Sequence, residues 1–231
     1  MKALILAAGK GKRLLPITEE IPKAMVEIGG RPILEKIINQ LKDQEVTDLI
    51  IVVGYKKEVV QNYFGDGTDL GVRISYIEQK ELLGTGHAVL LAKDVLSAES
   101  DFLLIFADTI FDDISLQQIM SAQGEGIVGV VHVDDPRRFG VVKIGSDKIV
   151  EYIIEKPEIP PSSLAVAGIY RLPTSIFNAL QTIPLSPRGE YELPHAVNAL
   201  IKNGVVFRTV ILHQFVDIGT IEQLKQARLL V

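Results

Sequence analysis

A loop close to the amino terminus carries the first residues that could do chemistry. It follows the apolar stretch Lys2–Ala7 and contains Gly9, Gly11 and Arg13, with Lys23 further along the chain. Glycines let a loop bring backbone N–H groups close to phosphate oxygens, and cations offset the phosphate charge. A Walker A motif would need Gly-Lys-Ser/Thr, and a dinucleotide fingerprint would need a third glycine at position 14, which is leucine. The loop is either a polyphosphate site or a solvated turn.

Two aspartates follow apolar stretches elsewhere in the chain. Asp108 comes after Phe-Leu-Leu-Ile-Phe-Ala, and Asp217 stands in Phe-Val-Asp-Ile-Gly-Thr. Each could be a helix cap or a turn residue. Together they could ligate Mg²⁺, which takes one or two carboxylates plus phosphate oxygens and water. The sequence leaves both readings open, because it does not show that the two residues meet.

Three further features could contact a ligand or belong to ordinary surface structure. Lys156 precedes a proline at the end of a predicted strand, where it could bind phosphate or face solvent. Gln79 and the stretch Gly84-Thr85-Gly86 could hydrogen-bond the edge of a base through an amide and backbone groups. Glutamine is also common on surfaces, and glycine is common in turns.

The elements that must position these residues follow an α/β pattern. In the first half, apolar runs alternate with helix-patterned stretches, which predicts a mostly parallel sheet covered by helices. In the second half, closely spaced strands predict antiparallel hairpins. The predicted strands are Lys2–Ala7, Asp48–Val53, Val72–Ile77, Asp101–Phe106, Ile127–Val133, Phe139–Ile144, Lys148–Ile154, Leu164–Arg171 and Val205–Leu212. Helices are predicted from Pro32, over Lys57–Phe64, from His87 to about Leu96, over Thr174–Thr182 and Leu193–Asn203, and from Ile221.

Composition narrows the function classes. The chain has 231 residues, 47% hydrophobic content and a net charge of -5, which favours one domain and disfavours binding to a nucleic acid polymer. It has no cysteine, and its four histidines are scattered, so no zinc site is expected. No stretch is apolar for long enough to serve as a signal peptide or membrane span, and we expect a cytoplasmic protein.

Taken together, the motifs resemble those of the sugar-1-phosphate nucleotidylyltransferases. That family includes glucose-1-phosphate thymidylyl- and uridylyltransferases and mannose-1-phosphate guanylyltransferases. The matching segments occur in the family's order over nearly the whole chain. They are Leu6-Ala-Ala-Gly-Lys-Gly-Lys-Arg-Leu14, Pro22-Lys23, Leu83-Gly-Thr-Gly-His-Ala88, Ala107-Asp108-Thr109, Phe139-Gly140-Val141-Val142, Glu155-Lys-Pro157, Ala167-Gly168-Ile169-Tyr170 and Asp217-Ile-Gly-Thr220.

The resemblance implies a Rossmann-like nucleotide-diphospho-sugar transferase fold, with a mixed, mostly parallel sheet and a smaller antiparallel β lobe. It implies Mg²⁺-dependent conversion of a nucleoside triphosphate and a sugar 1-phosphate to a nucleotide sugar and pyrophosphate. The implied catalytic residues are Arg13, Lys23 and Lys156, and the implied metal ligands are Asp108 and Asp217. The implied nucleotide-binding residues are Leu6, Ala7, Ala8, Gly9, Gly11, Arg13, Gln79, Gly84 and Thr85, and those for the sugar phosphate are Gly140, Glu155, Lys156 and Gly168.

Two departures from the family and several alternatives bear on this interpretation. Ala107 stands where the family often has glycine, and the chain ends at Val231, so we expect one catalytic domain over residues 1–231 without the carboxy-terminal β-helix of some relatives. The Leu-Gly-Thr-Gly-His-Ala motif favours UTP or dTTP with glucose 1-phosphate or a related sugar. The alternatives are a mannose-1-phosphate guanylyltransferase, a non-catalytic sensor and a nicotinamide-dependent dehydrogenase. A monomer and a homo-oligomer both remain open.

Overall fold

Nine strands form the central sheet of the computed structural model, which describes residues 1–228. Two pairs of short strands lie outside that sheet. In chain order the strands are β1 (Ala3–Ala7), β2 (Glu27–Ile28), β3 (Arg31–Pro32), β4 (Asp48–Val53), β5 (Arg73–Glu78), β6 (Asp101–Phe106), β7 (Thr109–Phe111), β8 (Gly126–His132), β9 (Gly140–Ile144), β10 (Val150–Glu155), β11 (Leu164–Pro173), β12 (Phe207–Ile211) and β13 (Phe215–Asp217). The α-helices are α1 (Ile33–Asp43), α2 (Lys57–Phe64), α3 (Thr85–Leu90), α4 (Lys93–Leu96), α5 (Asp113–Ser121), α6 (Ile176–Leu180), α7 (Leu193–Lys202) and α8 (Ile221–Ala227).

The parallel half of the sheet has the order β5-β4-β1-β6, as the βαβ pattern predicts. Strands β1, β4 and β6 are continuous apolar runs because helices cover both faces, whereas the edge strand β5 alternates buried and more exposed residues. Successive residues of β1 point to opposite sides: Ile5 packs in the core beneath α1, whereas Leu4 packs in the core beneath α3 and α7. The predicted bounds of β4, α2 and β6 are confirmed residue for residue.

Antiparallel strands complete the sheet beyond β6. There β11 pairs with β6, β8 and β9, and β10 is the edge strand beside β9. The β9–β10 hairpin agrees with the sequence prediction. The predicted hairpin between β8 and β9 is wrong, because β8 pairs antiparallel with β11 on one side and parallel with β12 on the other. The register of β11 shifts between Val166 and Tyr170, around Gly168.

Other local predictions need correction. The single helix expected from His87 to Leu96 is divided into α3 and α4. The small strands β7 and β13 and helix α5 were not predicted. Asp112 caps α5 by accepting a hydrogen bond from the Ser115 N–H at 2.6 Å. None of the helices within residues 1–228 combines the length and apolar character needed to cross a membrane.

Candidate active site

The loop after β1 is a tight turn that places Arg13 and Lys23. Gly11 adopts φ +63°, and its carbonyl accepts hydrogen bonds from the Leu14 N–H and the Thr18 hydroxyl, both at 2.9 Å. A side chain at Gly11 would put its Cβ 3.0 Å from the Cβ of Lys23. Leu14 is buried and Arg13 is exposed. The turn therefore anchors Leu14 in the core, directs Arg13 outward and leaves space for the Lys23 stem.

Strands β7 and β13 bring Asp108 and Asp217 together. The two strands pair antiparallel, with Thr109 opposite Asp217. The Ile218 N–H donates to the Asp108 carbonyl at 2.9 Å, which extends the pairing by one step. The two aspartates, which are more than a hundred residues apart in sequence, thus lie on neighbouring backbone segments. This is the convergence that the sequence alone could not establish.

The ammonium of Lys23 lies between these two carboxylates. It donates to Asp108 Oδ2 and lies 3.9 Å from Asp217 Oδ1, and only 12% of the Lys23 side chain is exposed. Burial raises the pKa of Asp217, and the neighbouring charge of Asp108 raises it further, while Lys23 and two arginines oppose the shift. A cation at this position therefore relieves repulsion between two partly buried carboxylates.

The two carboxylates of Asp108 and Asp217 fit a Mg²⁺ ion that is bound jointly by protein and substrate rather than by protein alone. Two carboxylates are the protein contribution that Mg²⁺ ordinarily takes when substrate phosphates and water supply the other ligands. Within the described part of the chain, no group of three or more His, Cys, Asp or Glu residues could hold a metal by itself. The position of the Lys23 ammonium also indicates that a positive charge is accommodated there.

Two cavities meet at Asp108. The first, which we name the Lys156 cavity, has a volume of about 280 Å³, and the second, the Gln79 cavity, has a volume of about 250 Å³. Thr85, Phe106, Asp108 and Glu190 line both. Among the residues predicted from sequence, the Lys156 cavity is lined by Arg13, Thr85, Asp108, Gly140, Glu155, Lys156, Gly168 and Asp217. The Gln79 cavity is lined by Leu6, Ala8, Gly9, Gln79, Gly84, Thr85 and Asp108.

The remaining predicted residues lie close to this junction. Ala7, Lys23 and Ala107 line a small cavity of about 50 Å³ beside Asp108. Gly11 lies beside Lys23, where a Cβ would crowd the lysine stem, so this glycine also shapes the loop. The methyl group of Ala107 is almost fully buried, which shows that the fold accommodates alanine where the family often has glycine.

The Lys156 cavity combines cations with several carboxylates, among them the mostly buried Glu155. Lys156 has φ +46°, and its N–H donates to the Phe139 carbonyl at 2.8 Å, which fixes the turn after β10. Its ammonium lies 3.5 Å from Glu155 Oε1. Burial raises the pKa of Glu155, and the charge of Lys156 opposes that rise. A Cβ at Gly140 would lie 3.0 Å from Glu155 Oε2, so a residue with a side chain there would crowd the carboxylate.

The Gln79 cavity is shaped by backbone contacts to the loop before α7. The Tyr191 N–H donates to the Leu83 carbonyl at 2.7 Å, and the Gly86 N–H donates to the Tyr191 carbonyl at 2.8 Å. Gly84 has φ +98°, and a Cβ there would lie 2.7 Å from the Tyr191 carbonyl oxygen. The Thr85 hydroxyl accepts from the Leu193 N–H at 3.2 Å and so caps α7. These contacts hold the loop over residues 79–86 against the start of α7 and the loop before it.

A family model described as nucleotidyl transferase matches residues 2–231. The chain belongs to this nucleotidyl transferase family. It is 40% identical over 209 residues to the UTP–glucose-1-phosphate uridylyltransferase AglF of Haloferax volcanii, covering 88% of this chain and 85% of AglF. It is also 42% identical over 219 residues to the bifunctional protein GlmU of Methanococcus aeolicus, covering 95% of this chain and 51% of GlmU. The chain therefore spans about half the length of several relatives that it matches.

Solved structures give the same result for the fold. A protein from Bacillus anthracis, provisionally assigned as a glucose-1-phosphate thymidylyltransferase and solved with a sucrose, has a TM-score of 0.89 and 33% identity, covering 100% of this chain and 94% of the other. A UDP-glucose pyrophosphorylase complexed with UDP-glucose has a TM-score of 0.86 and 26% identity, covering 99% and 97%. The Rossmann-like nucleotidyltransferase fold predicted from the sequence is confirmed.

The candidate site also contains charged residues that were not predicted from the sequence. Arg138 lines the Lys156 cavity and contributes to the positive field around Asp217. The buried Glu192 lines the same cavity and accepts from Arg188 Nη2 at 2.7 Å. Tandem arginines directly before the Phe139-Gly140 motif were a usable signal for Arg138. Glu192 carried no comparable signal, because only the folded loop buries it.

Proposed function

We propose that the protein transfers a nucleotidyl group from UTP or dTTP to glucose 1-phosphate or a related sugar 1-phosphate, giving a nucleotide sugar and pyrophosphate. The observation that carries this proposal is the meeting of two cavities at Asp108, where Asp217 and Lys23 converge. A reaction between two phosphorylated substrates needs two adjoining sites with their phosphates at the junction. AglF and the two structural neighbours are named for glucose 1-phosphate or UDP-glucose, which supports the substrate class.

The chemistry needs positioning and charge compensation rather than a general base. The attacking group is a sugar phosphate oxygen that is already ionised at neutral pH. We assign Lys156 to the sugar phosphate, and Arg13 and Lys23 to the triphosphate. These cations reduce the repulsion between two polyanions, and Arg13 stabilises the negative charge that develops on the leaving pyrophosphate. In-line displacement then requires only that the two phosphates are held in alignment.

Asp108 and Asp217 would hold a Mg²⁺ ion in this reaction. When bound, the ion would contribute charge stabilisation at the phosphates between the two cavities. The role of the protein residues is to keep the two carboxylates side by side, which the β7–β13 pairing does, and to neutralise them with Lys23 when no metal is present. When Mg²⁺ is bound between the two carboxylates, the Lys23 ammonium would turn toward a phosphate oxygen instead.

The two cavities would receive different halves of the product. We propose that the phosphates and sugar of the nucleotide bind to Leu6, Ala7, Ala8, Gly9 and Gly11. The base would bind to Gln79, Gly84 and Thr85. We assign the hexose to Gly140, Glu155 and Gly168 in the Lys156 cavity. Because nucleoside triphosphates and sugar phosphates are cytoplasmic metabolites, we place the reaction in the cytoplasm. We also propose that residues 1–231 act as one catalytic domain.

Pyrophosphate release tests the proposal directly. UTP, dTTP, GTP, CTP and ATP are each combined with several sugar 1-phosphates, with Mg²⁺ or with EDTA. We expect release with UTP or dTTP and glucose 1-phosphate, and a loss of release in EDTA. GTP with mannose 1-phosphate as the best pair would make the protein a guanylyltransferase. Folded protein that binds a nucleotide but releases pyrophosphate in no combination would overturn the enzymatic function and favour a sensor.

A matched pair of variants separates the substrate sites. Lys156→Met should raise KM for the sugar 1-phosphate by about tenfold or more, because a charged hydrogen bond to phosphate contributes about 1.5–3 kcal/mol. Its effect on KM for the nucleotide should be small. Lys143→Met, which changes a lysine on neighbouring strand β9, is the control and should leave both constants unchanged. Equal effects of Lys156→Met on the two substrates would contradict the assignment of the cavities.

A further inference from the structure

The side-chain amide of Gln79 can be oriented from its partners. One terminal atom of that amide lies 3.1 Å from the Gly84 carbonyl oxygen. A carbonyl oxygen only accepts hydrogen bonds, so the atom facing it must be the amide nitrogen, Nε2. The Gly84 oxygen is itself fixed in place, because it also accepts from the Ala88 N–H at 3.2 Å in the first turn of α3.

His87 uses the second hydrogen of the same nitrogen. Its Nδ1 lies 3.1 Å from Gln79 Nε2, and His87 is half-buried on α3. Because Nε2 is a donor, the His87 Nδ1 must accept, which places the imidazole proton on the other ring nitrogen. Both amide hydrogens of Gln79 are therefore engaged by the protein.

The Gln79 oxygen, Oε1, remains available for a ligand. Among the described residues, no protein donor contacts it. A fully buried oxygen without a donor would be an unsatisfied polar atom, and the only such side-chain nitrogen or oxygen in the described part of the chain is Arg171 Nε. Oε1 therefore keeps access to solvent, and the side chain lines the Gln79 cavity. Gln79 offers that cavity an acceptor and no donor.

We propose that His87 is a positioning residue that selects the base through Gln79. This inference rests on the proposed function, which assigns the base to the Gln79 cavity. Uracil, thymine and guanine carry a ring N–H beside a carbonyl, and that N–H can donate to Oε1. Cytosine and adenine carry a ring nitrogen with a lone pair at the equivalent place, and two acceptors would face each other. The His87–Gln79 pair therefore favours UTP, dTTP and GTP over CTP and ATP.

Nucleotide binding measured by calorimetry tests this selection without turnover. The dissociation constants of UTP and CTP are determined with Mg²⁺ and without sugar phosphate. We expect wild-type protein to bind UTP about tenfold or more tighter than CTP, because CTP would leave an acceptor without a hydrogen bond in a partly buried site. His87→Leu removes the acceptor for Nε2 and should reduce the ratio by about fivefold or more. Equal binding of UTP and CTP to wild-type protein would overturn the proposal.

Two further variants distinguish positioning from loss of structure. His87→Asn supplies an amide oxygen near the place of Nδ1 and should restore most of the preference for UTP. His132→Leu makes the same chemical change at an exposed histidine outside both cavities and should leave the ratio unchanged. In turnover, His87→Leu should raise KM for UTP with little change in kcat. An unchanged UTP-to-CTP ratio in folded His87→Leu would refute the role of His87.

A measurement on wild-type protein keeps the inference testable if His87→Leu does not fold. The ¹⁵N chemical shifts of the His87 ring should identify Nδ1 as the nitrogen without a proton. A proton on Nδ1 would overturn the proposal. The outcomes also distinguish this inference from the proposed function. Selective UTP binding without pyrophosphate release would reject the enzymatic function but support base selection by His87 and Gln79. Pyrophosphate release together with an unaltered UTP-to-CTP binding ratio in His87→Leu would support the enzymatic function but reject the role of His87.

Discussion

Replacing Lys23 with methionine tests the electrostatics at the centre of the site. Methionine keeps an unbranched apolar stem but removes the ammonium that contacts Asp108 and Asp217. At 3.9 Å and an effective dielectric constant of about 20, the attraction between Lys23 and Asp217 alone is about 4 kcal/mol. Desolvation of the ammonium offsets much of this attraction. We therefore expect metal-free Lys23→Met to lose about 1–3 kcal/mol of unfolding free energy at about pH 8.

The loss should depend on pH in a defined direction. Burial and the charge of Asp108 raise the pKa of Asp217 in the folded protein, and removal of Lys23 would raise that pKa further. A carboxyl with a higher pKa in the folded state than in the unfolded state binds protons preferentially when folded. Ionisation of such a carboxyl lowers the unfolding free energy. This loss is absent below the unfolded pKa of about 4 and develops as the pH rises through the folded pKa. The deficit of the variant should therefore shrink between about pH 8 and about pH 4.5.

Urea unfolding in EDTA, at both pH values, measures this deficit. Excess Mg²⁺ at the higher pH should recover part of it, because a cation that binds only the folded state stabilises that state. Lys202→Met, at an exposed lysine in the last turn of α7, is the control and should change stability little at either pH. A deficit that is the same at both pH values, or that Mg²⁺ leaves untouched, would refute the electrostatic reasoning.

Three other substitutions give separate tests. Arg13→Ala should leave the melting temperature unchanged and lower turnover in the pyrophosphate assay by at least about a hundredfold, the scale of losing one transition-state contact; near-normal turnover would remove Arg13 from that role. Arg171→Met should cost about 2–4 kcal/mol in urea unfolding, because the buried guanidinium donates to the carbonyls of residues 120, 122 and 124 at 2.6–2.9 Å. Asn198→Leu should cost about 1–2 kcal/mol and speed aggregation measured by light scattering, because the Asn198 amide satisfies both the N–H and the C=O of Ile153 on the edge strand β10. Wild-type behaviour in either stability variant would contradict its assigned contacts.

Three of the four parallel strands, β1, β4 and β6, were predictable because they are buried on both faces. Burial of both faces produces continuous apolar runs, and Asp48–Val53 and Asp101–Phe106 were found with their full bounds. Strands of three residues carry no period, so β7 and β13 were missed. Helix α5 did have a signal, since Asp112 is a good N-cap residue two positions before Ile114.

Strand partners were harder to predict than strands. The spacing of β8, β9 and β10 suggested consecutive hairpins, yet β8 pairs with β11 and β12. Nothing in the alternation of apolar residues distinguishes these partners, because β8 and β11 are buried on both faces over most of their length. The same limit applied to the site. Each motif indicated a residue type suited to phosphate or metal, whereas the distances between motifs depend on pairing between remote segments.

The close approach of Asp108 and Asp217 locally destabilises the folded state. Their charges repel, and burial raises the pKa of Asp217 in addition. The fold holds them together through the β7–β13 ladder and the Ile218–Asp108 backbone hydrogen bond, contacts that would be just as favourable with neutral side chains at both positions. A stable structure alone would therefore not require this pair. Local conflicts of this kind are typical of functional sites. The convergence of the two carboxylates on Lys23 is thus a stronger argument for a cation-dependent reaction than any single sequence motif.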